Sequence, residues 1–223
     1  MRLTENDRNR VAEAVTAAER DTAGEIVTIV ARRSDKYHDV ALHWTVLAMM
    51  LMLALLAFRP GVAIWLHGLV ADPWDGAPSP GGLFTVALVL LVVTFLVVRL
   101  VLAWMPLRLA LTPGGTEARR VHARARALFR ASAETRTRNA TGVLLYLSLD
   151  EHRAEIIADT TIHARVEPDV WGEAMAVLLE ATRDGRPGDG MVAAIRRIGI
   201  VLAEHVPPVA HDINELPDRL IEL

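Results

Sequence analysis

Val40 to Phe58 is a stretch of 19 residues in which His43 is the only strongly polar side chain. At about 1.5 Å of rise per residue it makes nearly 30 Å of helix, the thickness of a bilayer's hydrocarbon core. A second stretch, Leu83 to Met105, is interrupted only by Arg99, close enough to the end for its charge to snorkel toward headgroups. Between them, "RPGVAIWLHGLVADPWDGAPSPGG" breaks regular structure with prolines and glycines. Its apolar part, Gly61 to Ala71, is too short to cross. It reads as an interfacial or lengthened helix end, with Trp65 and Trp74 at headgroup depth. A chain with two such segments is expected to form a transmembrane hairpin over residues 40–106.

Composition agrees with that reading. The chain has 223 residues, 52% of them apolar, and the surplus sits between Val40 and Met105 rather than being spread evenly. A net charge of -3 is too small and too mixed to argue for a nucleic-acid partner. Lys36 is the only lysine, and with no cysteine there is no disulfide framework, thiolate nucleophile or zinc-thiolate site. The first 25 residues are charged throughout and lack the apolar core of a secretory signal.

Arginines set the expected orientation. Arg32, Arg33 and Lys36 precede the first span and Arg108, Arg119 and Arg120 follow the second, whereas the loop holds Arg59 alone. The positive-inside rule then places both termini in the cytoplasm of a bacterial cell and the loop outside its inner membrane.

Outside the hairpin the pattern is that of a small α/β domain. Thr4 reads as an N-cap, followed by Val11, Ala14, Val15 and Ala18 at helical spacing until Gly24. "EIVTIVAR" then has the β-branched run of a buried strand. After the hairpin, Glu117 to Arg138 reads as a helix with Val121, Ala125, Leu128 and Ser132 on one face and arginines around the rest. Such a helix is expected to lie near the anionic inner leaflet. Val143 to Leu149 and Ala154 to Ala158 read as strands joined by a polar turn, Asp150 to Arg153. Two helices follow, one with Pro168 near its start and one capped by Asp189 and stopped by Pro207 and Pro208. The order predicts an α/β fold: a small mixed β-sheet flanked by helices on both faces. Residues 1–39 and 107–223 form this discontinuous cytoplasmic domain, and the hairpin is an insertion between its first and second strands.

That order and several local wordings resemble the TPM domain family, also called TPM phosphatase-like. The matching pieces are "LTENDRNRVAEAV" with "TAGEIVTIV", "RNATGVLLYLSLDEHRAEIIADTTI", "GDGMVAAIRRIG" with "LAEHVPP", and the closing "NELPD". The resemblance implies the same α/β fold, with two membrane helices inside the domain as in several members. It also brings in activities associated with plastid relatives, namely photosystem repair, acid phosphatase activity and calcium binding.

Candidate chemistry is sparse. If the first two strands are parallel and the third returns by a hairpin, Glu25 and Asp159 lie at one sheet edge, and Asp189 at its helix cap is expected to join them. Three carboxylates there suit a hard cation such as calcium or magnesium. Arg138 near that edge is a candidate for phosphate binding. Asp150, Glu151 and His152 at the opposite edge pair a carboxylate with an imidazole, the elements of acid/base work, in a turn that is polar in any case. No HExxH, GxSxG, phosphate-loop or dinucleotide fingerprint occurs. Two functions follow as expectations. The first is a membrane-anchored interaction or scaffold module in envelope or membrane-protein maintenance, partnered by the lipid bilayer, by membrane proteins or by its own copies. The alternative is a calcium- or magnesium-dependent phosphatase with Glu25, Asp159 and Asp189 as metal ligands.

Overall fold

Thr4 starts the first helix by a reciprocal cap: its hydroxyl oxygen accepts the Asp7 amide at 3.2 Å, and the Asp7 carboxylate accepts the Thr4 amide at 3.0 Å. The hydrogen bonds from Thr4, side chain first, hold the Asp7 carboxyl below its ordinary range. A depressed carboxyl contributes stability above its unfolded pKa and loses it as pH falls through the folded value. Thr4→Ala is therefore expected to cost about 1 kcal/mol at neutral pH. In thermal unfolding, the gap from wild type should narrow on acidification.

The computed structural model describes residues 3–70, 76–132, 141–208 and 216–223. In chain order the elements are α1 (Glu5–Glu19), β1 (Glu25–Ala31), α2 (His38–Phe58), α3 (Pro60–Gly68), α4 (Pro80–Val101), α5 (Met105–Ala110) and α6 (Gly114–Ser132). Then come β2 (Gly142–Ser148), β3 (Arg153–Ala158), α7 (Thr160–His163), α8 (Gly172–Arg183), α9 (Pro187–His205) and β4 (Ile221–Glu222). The chain divides into two units, one made of Met1–Asp35 with Gly114–Leu223 and the other of Lys36–Pro113.

In the first unit the sheet order is β3-β2-β1-β4. β1 and β2 are parallel, with Glu25 opposite Gly142 and Ala31 opposite Ser148, while β3 returns antiparallel to β2. Every residue of β1 and β2 is buried, as expected of central strands covered on both faces. Their side chains alternate between two cores. Ile26, Val30, Val143 and Leu145 meet residues of α1, α8 and α9, including Val15, Leu178 and Ile195, on one face. Val27, Ile29, Leu144 and Tyr146 meet Val121, Ala125 and Phe129 of α6 on the other. The result is the mixed sheet with helices on both faces that the element order predicts.

In the second unit α2 and α4 are each long and apolar enough to cross a membrane. α4 has no buried residue, and Met50, Leu51, Leu88, Leu96 and Leu100 all stay exposed. The hydroxyls of Thr45, Thr85 and Thr94 donate to carbonyls four residues back, so they place no unpaired donor on the apolar surface.

Several details depart from the sequence reading. The last long helix starts at Pro187, so Asp189 stands inside its first turn and is not its cap. Proline's fixed φ suits the first helical turn, where its missing N–H is no loss. α8 is preceded by a turn of 3-10 helix, Pro168–Trp171. α6 begins at Gly114 and buries Phe129, while Ser132 is only partly covered and bonds the Leu128 carbonyl. β4 lies in what reads as a tail, because two residues carry no periodicity. Trp74 and Arg138 fall outside the described residues.

Candidate functional site

The two ends of the sheet carry most of the buried polar side chains. At the carboxyl ends of β1 and β2, ladder bonding continues past the strands, with the Leu149 amide on the Ala31 carbonyl at 3.0 Å and the Asp150 amide on the Arg32 carbonyl at 2.8 Å. The β2–β3 turn is thereby pulled over the chain that leaves β1. Glu151, only 8% exposed, accepts the Ser34 amide at 2.8 Å and the Ser148 hydroxyl. Ser34 in turn bonds the Tyr146 phenol at 3.0 Å. Around this network Arg120 pairs with Asp35 at 2.9 Å, and Asp150 lies within 3.7 Å of Arg32.

This arrangement holds structure rather than chemistry. A hydroxyl beside a carboxylate resembles half of a nucleophilic pair, but Ser148 is fully buried and reaches no substrate. Glu151 spends its lone pairs on the protein's own donors. His152 takes a left-handed φ of 49°, which lets the turn close, and its ring stays exposed.

Burial pushes the Tyr146 phenol up, with hydrogen bonds from Ser34 and Ser148 opposing. A phenol raised above its unfolded pKa contributes stability that is complete below the unfolded value and is lost as pH rises through the folded one. Stability is therefore expected to fall above about pH 10, the ordinary tyrosine range, and Tyr146→Phe to flatten that fall in denaturant titrations.

The opposite sheet end holds Glu25 and Asp159. β2's first residue stands between them: the Gly142 amide donates to Asp159 Oδ2 at 3.1 Å, and Glu25 is paired with Gly142 across β1. Two strand spacings put their backbones about 10 Å apart. Glu25 Oε2 accepts the Leu216 amide at 3.3 Å, and nearby Glu19 Oε1 accepts the Ile26 amide at 2.7 Å. With Thr16, Thr22 and Asp218 these two glutamates line a cleft of about 270 Å³. Asp218 is held by the Thr16 hydroxyl at 2.5 Å.

Asp189 does not join them. The far end of its helix lies at the start of β1, where Val206 accepts the Ala23 amide at 3.1 Å and the Thr22 hydroxyl at 2.6 Å. Seventeen residues of helix between Asp189 and Val206 correspond to about 25 Å. Asp189 instead accepts from Arg10 at 2.7 Å and Arg186 at 3.5 Å. The expected trio is thus divided between the two ends of α9. Among the described residues no group of three or more His, Cys, Asp or Glu side chains is arranged to hold a metal ion.

Glu19 and Asp218 are the cleft residues that sequence reasoning missed. Glu19 closes a helix whose only legible pattern is its apolar face. Asp218 belongs to the closing "NELPD", a motif noticed as wording but given no chemical role.

Residues 109–201 match the family model described as the TPM domain, a span running from the end of α5 through most of α9. A solved structure similar to this chain is the NMR structure of BA42 protein from the psychrophilic bacterium Bizionia argentinensis. It has a TM-score of 0.57 at 18% identity, over 100% of this chain and 96% of that one, a likeness of fold alone. No curated protein matches.

Proposed function

Because the chain carries a TPM domain, we propose that it is an integral membrane protein that holds this domain at the cytoplasmic face of a bacterial inner membrane as an interaction or scaffold module. The observation that carries the reading is the insertion between two neighbouring parallel strands. A crossover that needs only a dozen or so residues contains two long helices whose apolar sides are left uncovered. Apolar surface of that extent is unfavourable in water and at home in lipid. The unequal arginine count on the two sides of the hairpin supports this orientation. Partners are then the bilayer and proteins within or beside it.

An interaction module is favoured over a phosphatase because each carboxylate at the two sheet ends is engaged by the protein's own donors. Glu25 accepts the Leu216 amide, and Glu151 accepts the Ser34 amide and the hydroxyl of the fully buried Ser148. The test is alkaline carbonate extraction of cell membranes. The chain should stay in the pellet, and paired Leu88→Arg and Val92→Arg changes on exposed positions of α4 should release it. Release of the unaltered chain into the supernatant would sink the reading.

A further inference from the structure

α1 and α9 run side by side in the same direction. Asp7 lies against Gly188 and Ala18 against Gly199, where an added Cβ would stand 2.7 Å from the Ala18 Cβ. Backbones that close leave a groove of about 700 Å³ along their outer face, floored by small residues that include Ala14, Ala17 and Ala203. Ile200 rises from one side of it, 69% exposed on a helix whose neighbouring outward positions, Arg196, Arg197 and Glu204, are charged.

The rim carries both signs of charge. Glu13 and Asp21 lie on the α1 side, next to an Arg10 already paired with Asp189, and Arg196 lies on the α9 side; Glu13, Asp21 and Arg196 make no ion pair among the described residues. A groove built for a basic or an acidic partner would present one sign. Both signs flanking a hole and a knob are what self-pairing about a two-fold axis requires, since each copy must supply both halves of every contact.

We propose that this groove is the contact between two copies of the chain. A dyad along the groove sets α9 of one copy on α1 of the other. The shared register sets Ile200 level with residue 19 of the second copy and Arg196 level with residue 15, each two residues or about 3 Å past Ala17 and Glu13. Because helical side chains lean toward the N-terminus, Ile200 then seats on the second copy's Ala17 and Arg196 reaches the second copy's Glu13. The central anchor is an aliphatic knob in a small-residue hole, and the rim pair fixes register. The inference rests on the membrane-anchored reading only for the confinement of copies to one bilayer, which raises their effective concentration.

The chain has no cysteine, so introduced thiols report without background. Two differently tagged chains, one with Ala17→Cys and one with Ile200→Cys, are coexpressed and their membranes oxidised. The mixed disulfide-linked dimer is expected to form, and a chain with Arg119→Cys, exposed on α6, should give none. Adding Arg196→Glu to both chains lowers the adduct about tenfold, because like charges then face each other, and adding Glu13→Arg as well restores it. Absence of the adduct, equal yield at position 119, adducts only with other proteins, or indifference to Arg196→Glu would each overturn the proposal. Carbonate extraction of the same membranes reports insertion separately, so a chain that stays in the pellet without cross-linking refutes the dimer and leaves the anchored reading standing.

Discussion

Replacing Glu151 by alanine is expected to destabilise the sheet-bearing unit by about 3 kcal/mol, because burial leaves its former donors without water to replace it. The carboxylate receives the Ser34 amide and the Ser148 hydroxyl, and Ser148 is fully buried. Its removal strands a backbone N–H and a hydroxyl where a charge-assisted acceptor stood. The loss is local to the point where the chain leaves β1. Ser34 also bonds the Tyr146 phenol, so the network loosens as a whole. Glu151→Gln keeps a carbonyl acceptor of the same shape and should recover much of the loss. Thermal unfolding followed by circular dichroism checks both, and an alanine variant as stable as wild type would mean that the network contributes nothing.

Arg108→Ala is expected to have a comparable effect on the other unit. The guanidinium, 8% exposed, donates from Nε and Nη2 to the Leu102 carbonyl at 2.8 and 2.5 Å and from Nη1 to the Lys36 carbonyl at 2.7 Å. Leu102 caps α4 and Lys36 precedes α2, so one planar fork ties the two ends of the inserted hairpin together. Truncation leaves both carbonyls without this donor, at about 3 kcal/mol for charge-assisted bonds lost from a buried site. Arg108→Lys recovers only part, since an ammonium has no rigid fork with which to hold both. Protease sensitivity of the detergent-solubilised chain between residues 36 and 113 is the readout. Cleavage should be fastest in the alanine variant.

How far these features were legible in the sequence depends on their range. The capped first helix, both central strands and the apolar helices are written in local patterns: Thr4 before a helical stripe, β-branched runs, and long stretches without charge. Element order is compatible with a parallel pairing of β1 with β2 but does not impose it; the ladder from Glu25–Gly142 to Ala31–Ser148 does. Glu25 and Asp159 could be assigned to one sheet end because strand direction alone determines it. Asp189 could not, because its position depends on the direction in which α9 crosses the sheet face, and no local pattern encodes that. Arg108 was visible only as a positive charge beside a span, while its role as a tie needs two carbonyls from distant parts of the chain. β4 was illegible for a simpler reason: two residues are held there by β1 rather than by their own propensity.

In the arrangement we propose, the hairpin threads the chain through a bilayer, with the loop outside and both termini inside. Single cysteines at Ala77, in the loop before α4, and at Arg119, on α6, test it most directly in intact cells, using a maleimide that does not cross membranes. Ala77→Cys should be labelled at once and Arg119→Cys only after permeabilisation. Equal labelling of both positions, or labelling at 119 alone, would contradict the account.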